Sequence, residues 1–411
     1  MPEPVYILGG ARSDFKRNLK KEGKSLRDLV TEVGGAALQS TGIDPADVQS
    51  GIVGNFAAGL FTRQLHLGSL IAEIHPKLRG IPTIHTEGAC ASGALAVVTG
   101  IQQVMGGIYD VVLVVGVEQQ KTMSSADGGE VLAAAGDYAV ERPEFGEFMF
   151  PKLFGRLAEI YMQKYKLSEE QLALVAAKNY AHARLNPLAQ MRDKPLSLAQ
   201  ACAESEENRR VAGPLKVTDC SQITDGAAAV ILCSEKFLRQ LGSRKVARLG
   251  GYGHATDYLP LAKKDAPTFT IATSAAAKAY LNAGCRAADI HGAEVHDCFS
   301  ISEIVAYEIL GLAPRGEGPL LLESGATAHP SVRKELGLPL NPARSIPVNT
   351  GGGLIGDGHP VGATGVRQVF DAYKQLTGQA GASQIEGAKN FLTFNMGGSL
   401  TTSVAMVWHA A

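Results

Sequence analysis

Four places in this 411-residue chain combine a reactive side chain with a backbone that exposes it. Cys90 lies in Gly88-Ala89-Cys90-Ala91-Ser92-Gly93, whose small neighbours leave room for a carbonyl to approach the sulfur. A helix opening there would offer free N–H groups and its dipole to a thiolate, lowering the thiol pKa. The other reading is a buried thiol that only packs, the usual fate of a lone cysteine. His359 lies in Gly358-His359-Pro360-Val361-Gly362-Ala363-Thr364-Gly365. Proline at the first helical position sets this imidazole at a helix N-terminus, which keeps it neutral and able to take a proton from a thiol. It would otherwise be a capping or core histidine. His296-Asp297-Cys298-Phe299 ends a β-rich run, so His296 and Cys298 share one face and Asp297 and Phe299 the other. That makes either an acid/base pair or an accident of alternation in a half-buried strand. In Asn395-Met396-Gly397-Gly398-Ser399 the paired glycines allow backbone N–H groups to face a ligand oxygen, as an oxyanion hole requires. A β-bulge is a compatible alternative.

The elements that must position these residues alternate short β-rich runs with helical stretches, the pattern of a layered α/β fold. Strands are expected over 5–9, 51–56, 82–85 and 110–117, and helices over 26–39, 65–74 and 91–105. The last third repeats this order without repeating the residues. It has strands over 247–252, 293–298, 391–395 and 403–407, helices over 274–282, 301–310 and 362–376, and Pro347-Val348-Asn349 leading into a glycine run. Cys90 and His359 then occupy equivalent places, each where the third strand of its half meets the third helix. Halves packed about a pseudo-twofold axis would bring those two helix N-termini to one pocket. Between them, 121–210 is less regular, with acidic loops over 141–147, a helix over 169–183 and a charged helix ending near Arg210. The expected division is a core half over 1–120, an inserted loop or cap over 121–225, a return strand and helix over 226–246, and a second core half over 247–411.

Composition narrows the class. Thirty-nine basic and 40 acidic side chains leave a net charge of -1, too weak a field for a nucleic-acid binder or a polybasic membrane anchor. Apolar residues are 45% and charged residues 19% of the chain, which suits a packed core and excludes disorder. Six scattered cysteines with no CxxC pair indicate neither a disulfide framework nor a zinc knuckle, and no resident metal is expected. The longest strongly apolar run, 111–117, is far short of the roughly 20 residues that span a bilayer. With neither a secretory signal nor a peroxisomal address in view, a reduced, cytoplasmic protein is expected.

Taken together, the segment around Cys90, Asp225-Gly226-Ala227-Ala228-Ala229, the Gly358 to Gly365 motif and the terminal Gly397-Gly398 resemble the thiolase superfamily over nearly the whole chain. His296-Asp297-Cys298-Phe299 is similar to the signature of the sterol-carrier-protein-type branch, where other thiolases carry Asn-Glu-Ala-Phe. The resemblance implies duplicated βαβαβαββ halves in a five-layered α-β-α-β-α core with an inserted loop domain. It implies an acyl-CoA C-acyltransferase that cleaves 3-oxoacyl-CoA with coenzyme A or runs the reverse Claisen condensation. Acyl-CoA and coenzyme A are then substrates, and no separate cofactor is needed. Cys90 would be the acylated nucleophile and Cys298 the acid/base for the α-proton, while His359 would deprotonate Cys90 and, together with His296 and a water, polarise the thioester oxygen. The N–H groups of Cys90 and Gly397 would form the oxyanion hole, and Ser221 would touch the pantetheine arm. A homodimer or homotetramer is implied, with the first core half at the interface, and some relatives also work with a small OB-fold partner.

Two departures stand out. Many thiolases carry an acid/base cysteine where this chain has Asn395, so that role is expected to move to Cys298. Glu87, where many relatives have Asn, would oppose a thiolate at Cys90, so it is expected to be turned away and hydrogen-bonded. A β-ketoacyl synthase is the nearest rival reading, but its usual lysine before the second histidine is missing from 349–357. A partner-dependent or non-catalytic subunit is the other, and the presence of Cys90, His296, Cys298 and His359 together argues against a dead scaffold.

Overall fold

The computed structural model describes residues 2–411. The first half supplies strands β1 (Val5–Arg12), β2 (Ser50–Gly54), β3 (Thr83–Thr86) and β4 (Val111–Glu118), with helices α1 (Leu26–Thr41) and α2 (Ser92–Met105). Helices α3 (Met149–Tyr165) and α4 (Glu169–Ala183) follow, and then β5 (Gly226–Ser234). The second half supplies strands β6 (Ala247–Thr256), β7 (Gly292–Glu294), β8 (Asn390–Gly397) and β9 (Thr402–Ala410). Its helices are α5 (Thr270–Ala283), α6 (Ser300–Ile309) and α7 (Thr364–Thr377).

The strands form one sheet in the order β3-β2-β4-β5-β1-β6-β9-β8-β7. The halves meet edge to edge through two residue pairs only, Tyr6 with Arg248 and Ile7 with Ala247. Outward from that seam the two orders correspond strand for strand, as a duplication requires. The second half's fifth strand is reduced to a single parallel bridge between Ala293 and Val348, because Asn349 turns into the left-handed region (φ 58°) immediately afterwards.

Both faces of each half-sheet are covered, which is why β4 is buried at every position rather than at alternate ones. Leu113, Val115 and Val117 pack outward with Leu29, Val30 and Val33 of α1. Val112 and Val114 point inward to Val97 and Ile101 of α2 and Val366 and Val369 of α7, which also meet Val404, Met406 and Trp408 of β9. Beyond the second half-sheet, Leu392 and Val407 pack with Ala276 of α5 and Ile304 of α6. These are the five layers, with α2 and α7 as the central pair.

That central pair fixes the site. A Cβ on Gly93 would lie 2.6 Å from the Gly362 carbonyl, and one on Gly365 would lie 2.2 Å from the Ala94 nitrogen. The two helix openings therefore touch backbone to backbone, a distance only glycine permits.

The insertion departs from expectation in three ways. The acidic stretch 141–147 contains a helix, Glu141–Phe145, and α3 is a full helix with no counterpart in the sequence reading. The charged helix expected to end near Arg210 stops at Cys202. There the Asn208 amide donates to the carbonyls of Gln200, Ala201 and Ala203, and the chain goes on into a small hairpin, Arg210–Ala212 with Leu215–Lys216. Among the described residues, no helix is long and apolar enough to cross a membrane.

Candidate active site

Cys90 sits in a 3-10 turn, Ala89–Ala91, that runs directly into α2. Ala89 is held at φ 52°, a left-handed conformation that costs a non-glycine residue strain. The surroundings enforce it. The Ala89 N–H donates to a Glu87 carboxylate oxygen at 2.5 Å, the Gly88 N–H to the Ser92 hydroxyl at 3.0 Å, and that hydroxyl to the Ala89 carbonyl at 2.6 Å. Glu87 is therefore hydrogen-bonded, as expected, and its job is to brace the nucleophile turn.

The thiol is not the acidic one that a helix N-terminus alone would give. Burial pushes its pKa up to about 12; the Gly398 and Cys90 N–H groups oppose that rise, while the Glu118 and Glu87 carboxylates add to it. Desolvation outweighs the dipole, so Cys90 rests as a thiol and needs a base.

His359 supplies one. Its backbone N–H donates to the Thr224 hydroxyl at 2.9 Å. Its Nδ1 lies 2.7 Å from Thr364 Oγ1, whose own proton goes to the Pro360 carbonyl at 3.1 Å. That hydroxyl must accept, which places the imidazole proton on Nδ1 and leaves the Nε2 lone pair free. Nε2 is buried and has no partner. Burial first, and then the Arg367 charge, hold the His359 pKa down to about 3, so neutrality is as expected but its main cause is desolvation.

His296 carries the opposite tautomer. Its Nδ1 lies 2.9 Å from Asn395 Nδ2, an amide nitrogen that can only donate, so the imidazole proton is on Nε2. Burial and the neighbouring His359 push its pKa well down. The two rings meet edge to face at 5.0 Å between centroids, and ligand atoms of Cys90, His296 and His359 all lie within 4.8 Å of one another. One neutral histidine thus accepts a proton and the other donates one.

Strand β7 ends at Glu294, four residues short of the expected 298, because the Val295 N–H turns to the Asn349 side chain at 2.8 Å. Beyond it the backbone leaves the strand and bends at Cys298; Cys298 reaches the cavity and His296 the cluster with Cys90 and His359. Asp297 points away from the site and caps the short helix Gly353–Gly356, accepting from the Leu354 N–H at 2.7 Å and the Asn179 amide at 2.7 Å. Cys298 is buried, its sulfur 3.7 Å from the Ser302 hydroxyl, and burial pushes its pKa well up.

Cys90, Cys298, His359 and Ser221 line one cavity of about 210 Å³. Leu132, Phe148, Phe150, Phe299 and Val361 make the rest of its wall largely apolar. Gly398 lines it too, and it is the Gly398 N–H that reaches the Cys90 sulfur. Gly397 is the residue that lets strand β8 approach the nucleophile turn, since a Cβ there would lie 2.1 Å from the Gly88 carbonyl. The turn after it is pinned by Lys264, which donates to the Ser399 carbonyl at 2.6 Å, the Ser399 hydroxyl at 2.9 Å and the Thr401 hydroxyl at 2.8 Å.

Glu118 was not singled out by sequence. It is fully buried at the end of β4 and accepts from the Phe56 N–H at 3.0 Å, the Asn55 amide at 2.8 Å and, across the halves, the Gly362 N–H at 3.0 Å. Desolvation raises its pKa to about 7. Nothing in a lone Glu after an apolar run marks it, because these partners lie 62, 63 and 244 positions away.

Comparison with known proteins agrees with this construction. Residues 5–236 match the thiolase N-terminal domain and residues 253–410 the thiolase C-terminal domain-like family. The chain is 38% identical to an acetyl-CoA acetyltransferase of Methanothermobacter thermautotrophicus, over 93% of this chain and 94% of that one. It is 29% identical to human sterol carrier protein 2, over 96% of this chain and 70% of that one. Among solved structures, the Ltp2-ChsH2(DUF35) aldolase superposes with a TM-score of 0.81 at 22% identity, covering 100% of this chain and 98% of that one. A duplicated five-layer core, a nucleophile turn butted against a histidine loop and two family matches spanning both halves lead to one conclusion: the chain belongs to the thiolase family.

Proposed function

We propose that the protein is an acyl-CoA C-acyltransferase working through an acyl-enzyme on Cys90. His359 Nε2 takes the Cys90 proton as the sulfur attacks the 3-oxo carbonyl of a 3-oxoacyl-CoA. Collapse of the tetrahedral adduct breaks the C2–C3 bond and leaves the acyl group on Cys90. The departing acetyl-CoA enolate oxygen receives the His296 Nε2–H as a hydrogen bond, and Cys298 delivers the proton to carbon. Coenzyme A then attacks the acyl-enzyme, and the reverse sequence is the Claisen condensation. The observation that carries this reading is the unpartnered His359 Nε2 set beside Cys90 and a proton-donating His296. The N–H groups of Cys90 and Gly397, with Gly398 beside them, serve as the oxyanion hole, and Ser221 contacts the pantetheine arm. The test is incubation with an acyl-CoA followed by peptide mass analysis. The acyl mass belongs on the Cys90 peptide and is absent in Cys90→Ala; label confined to another cysteine refutes the assignment.

The same reading divides the chain into core halves over 1–120 with 226–246 and over 247–411. The insertion over 121–225 shapes the acyl end of the cavity, since Leu132, Phe148 and Phe150 line it. It also makes the protein a homodimer or homotetramer through the first half. Strand β3 is a sheet edge with Ile84 40% exposed, near the exposed Leu60 and Leu65 segment, and such edges are normally covered. A monomeric mass by light scattering would contradict this. All six cysteines are free, which suits a reducing, cytoplasmic setting. A second reading, in which turnover needs a small OB-fold partner, is favoured by the structural similarity to an aldolase whose name pairs Ltp2 with a DUF35 protein. Activity of the purified chain alone decides between the two.

A further inference from the structure

We propose that Cys90, His296 and His359 form a latent three-ligand site for zinc, whose occupation blocks acyl transfer. One sulfur and two imidazole nitrogens are a donor set that zinc favours, and three protein ligands with one open position is the usual arrangement of an accessible zinc site. The ligand atoms already lie within 4.8 Å of one another. Bond lengths of about 2.0–2.1 Å to nitrogen and about 2.3 Å to sulfur put tetrahedral neighbours roughly 3.4–3.7 Å apart. Closing the set therefore needs movements of about 1 Å, within reach of side-chain rotation.

Independent observations point to a ligand here. His359 Nε2 is buried and has no hydrogen-bond partner, and His359 is a member of the ligand cluster. Cys90 and His359 both open on the cavity, so the cluster can be reached from it. An ion held between them is within reach of water or a substrate thiol. Binding forms one Zn–S bond and two Zn–N bonds, and the Cys90 proton leaves to solvent; nothing is oxidised or reduced.

One adjustment is required, and it supplies the test. A zinc-bound His296 Nε2 must carry its proton on Nδ1, where Asn395 now presents its NH₂ group. The Asn395 carbonyl oxygen is buried and unpartnered, so turning the amide over gives Nδ1–H the acceptor that metal-bound histidines use. Asn395→Asp can only accept, and it should favour the zinc tautomer while removing the catalytic one.

The experiment titrates purified protein with zinc sulfate, measures metal content after gel filtration, and records the zinc X-ray absorption spectrum. The expected result is one zinc per chain with a shell of one sulfur and two nitrogens, lost in Cys90→Ala and in His296→Ala. Asn395→Asp should bind zinc about 10–100-fold more tightly, the usual weight of such outer partners, while exchanging the α-proton of acetyl-CoA more slowly. Zinc retained by Cys90→Ala, a shell without sulfur, or unchanged affinity in Asn395→Asp would overturn the proposal. Inhibition rests on the acyl-transfer reading, but the metal site does not. Zinc bound by a protein that has no transferase activity even when metal-free would sink only that reading, and an active enzyme that binds no zinc would sink only the site.

Discussion

Thr364→Val isolates the contact that makes His359 a base. The Thr364 oxygen is the acceptor for His359 Nδ1–H at 2.7 Å, and valine replaces it with a methyl of nearly the same size. The Pro360 carbonyl loses the threonine proton but still accepts from the Ala363 and Thr364 N–H groups at 2.9 and 3.0 Å, so the turn itself should survive. What changes is the imidazole. Its Nδ1–H is left buried without an acceptor, which raises the working tautomer by about 1–3 kcal/mol relative to the one with its proton on Nε2. The latter tautomer cannot take the Cys90 proton. At about 1.36 kcal/mol per tenfold, the ratio of working to idle tautomer falls about 5- to 160-fold, and acylation should slow by up to that factor. The assay is single-turnover acylation of Cys90 by an acyl-CoA, followed by mass spectrometry, with the melting temperature recorded in parallel. Thr364→Ser keeps the acceptor and should acylate close to the unaltered rate. If Thr364→Val acylates at the unaltered rate, Thr364 does not set the tautomer and the assignment of His359 as base loses its structural support.

Cys298→Ala should still form acyl-enzyme at Cys90 but lose deuterium exchange at the acetyl-CoA α-carbon, by about 10²–10⁴-fold; normal exchange would move the α-proton to another group. Gly365→Ala sets a methyl 2.2 Å from the Ala94 nitrogen, so it should lower stability by about 1–3 kcal/mol as overpacking does and slow acylation by parting Cys90 from His359; a melting curve and acylation rate like the parent's would show that the helix openings are not so tightly apposed. Burial pushes the Cys90 thiol up to about 12 and the His359 imidazole down to about 3, so the resting pair is neutral on both sides across the whole range between. Alkylation of Cys90 by iodoacetamide should therefore climb with pH through the neutral and mildly alkaline range, as deprotonation becomes less costly, and a rate flat from pH 5 to 9 would instead reveal a preformed thiolate–imidazolium pair.

How much of this was legible in advance depends on whether the physics is local. Alternating β-rich and helical runs, the small-residue setting of Cys90 and the glycine-proline setting of His359 are properties of neighbouring residues, so the order of elements and the catalytic candidates could be read directly. The shared strand face of His296 and Cys298 could not, because β7 ends at Glu294 and the backbone bends at Cys298, so their placement comes from the fold around them. The helix α3 and the early stop at Cys202 were not legible, since the latter depends on Asn208 reaching back to three carbonyls.

The chemistry of the site divides in the same way. Residue types and spacing alone determined that a thiol, two imidazoles and a second thiol were available on a duplicated α/β frame. Only the tertiary structure decided what each does. Asn395, 99 positions from His296, makes that ring a donor, while Thr364 makes His359 an acceptor. The Cys90 thiol is weakly acidic because its packed surroundings desolvate the sulfur by more than the Gly398 and Cys90 N–H groups offset. Tautomer and proton affinity are set by solvent exclusion and by hydrogen-bond partners from distant elements, and those exist only once the two halves have packed together.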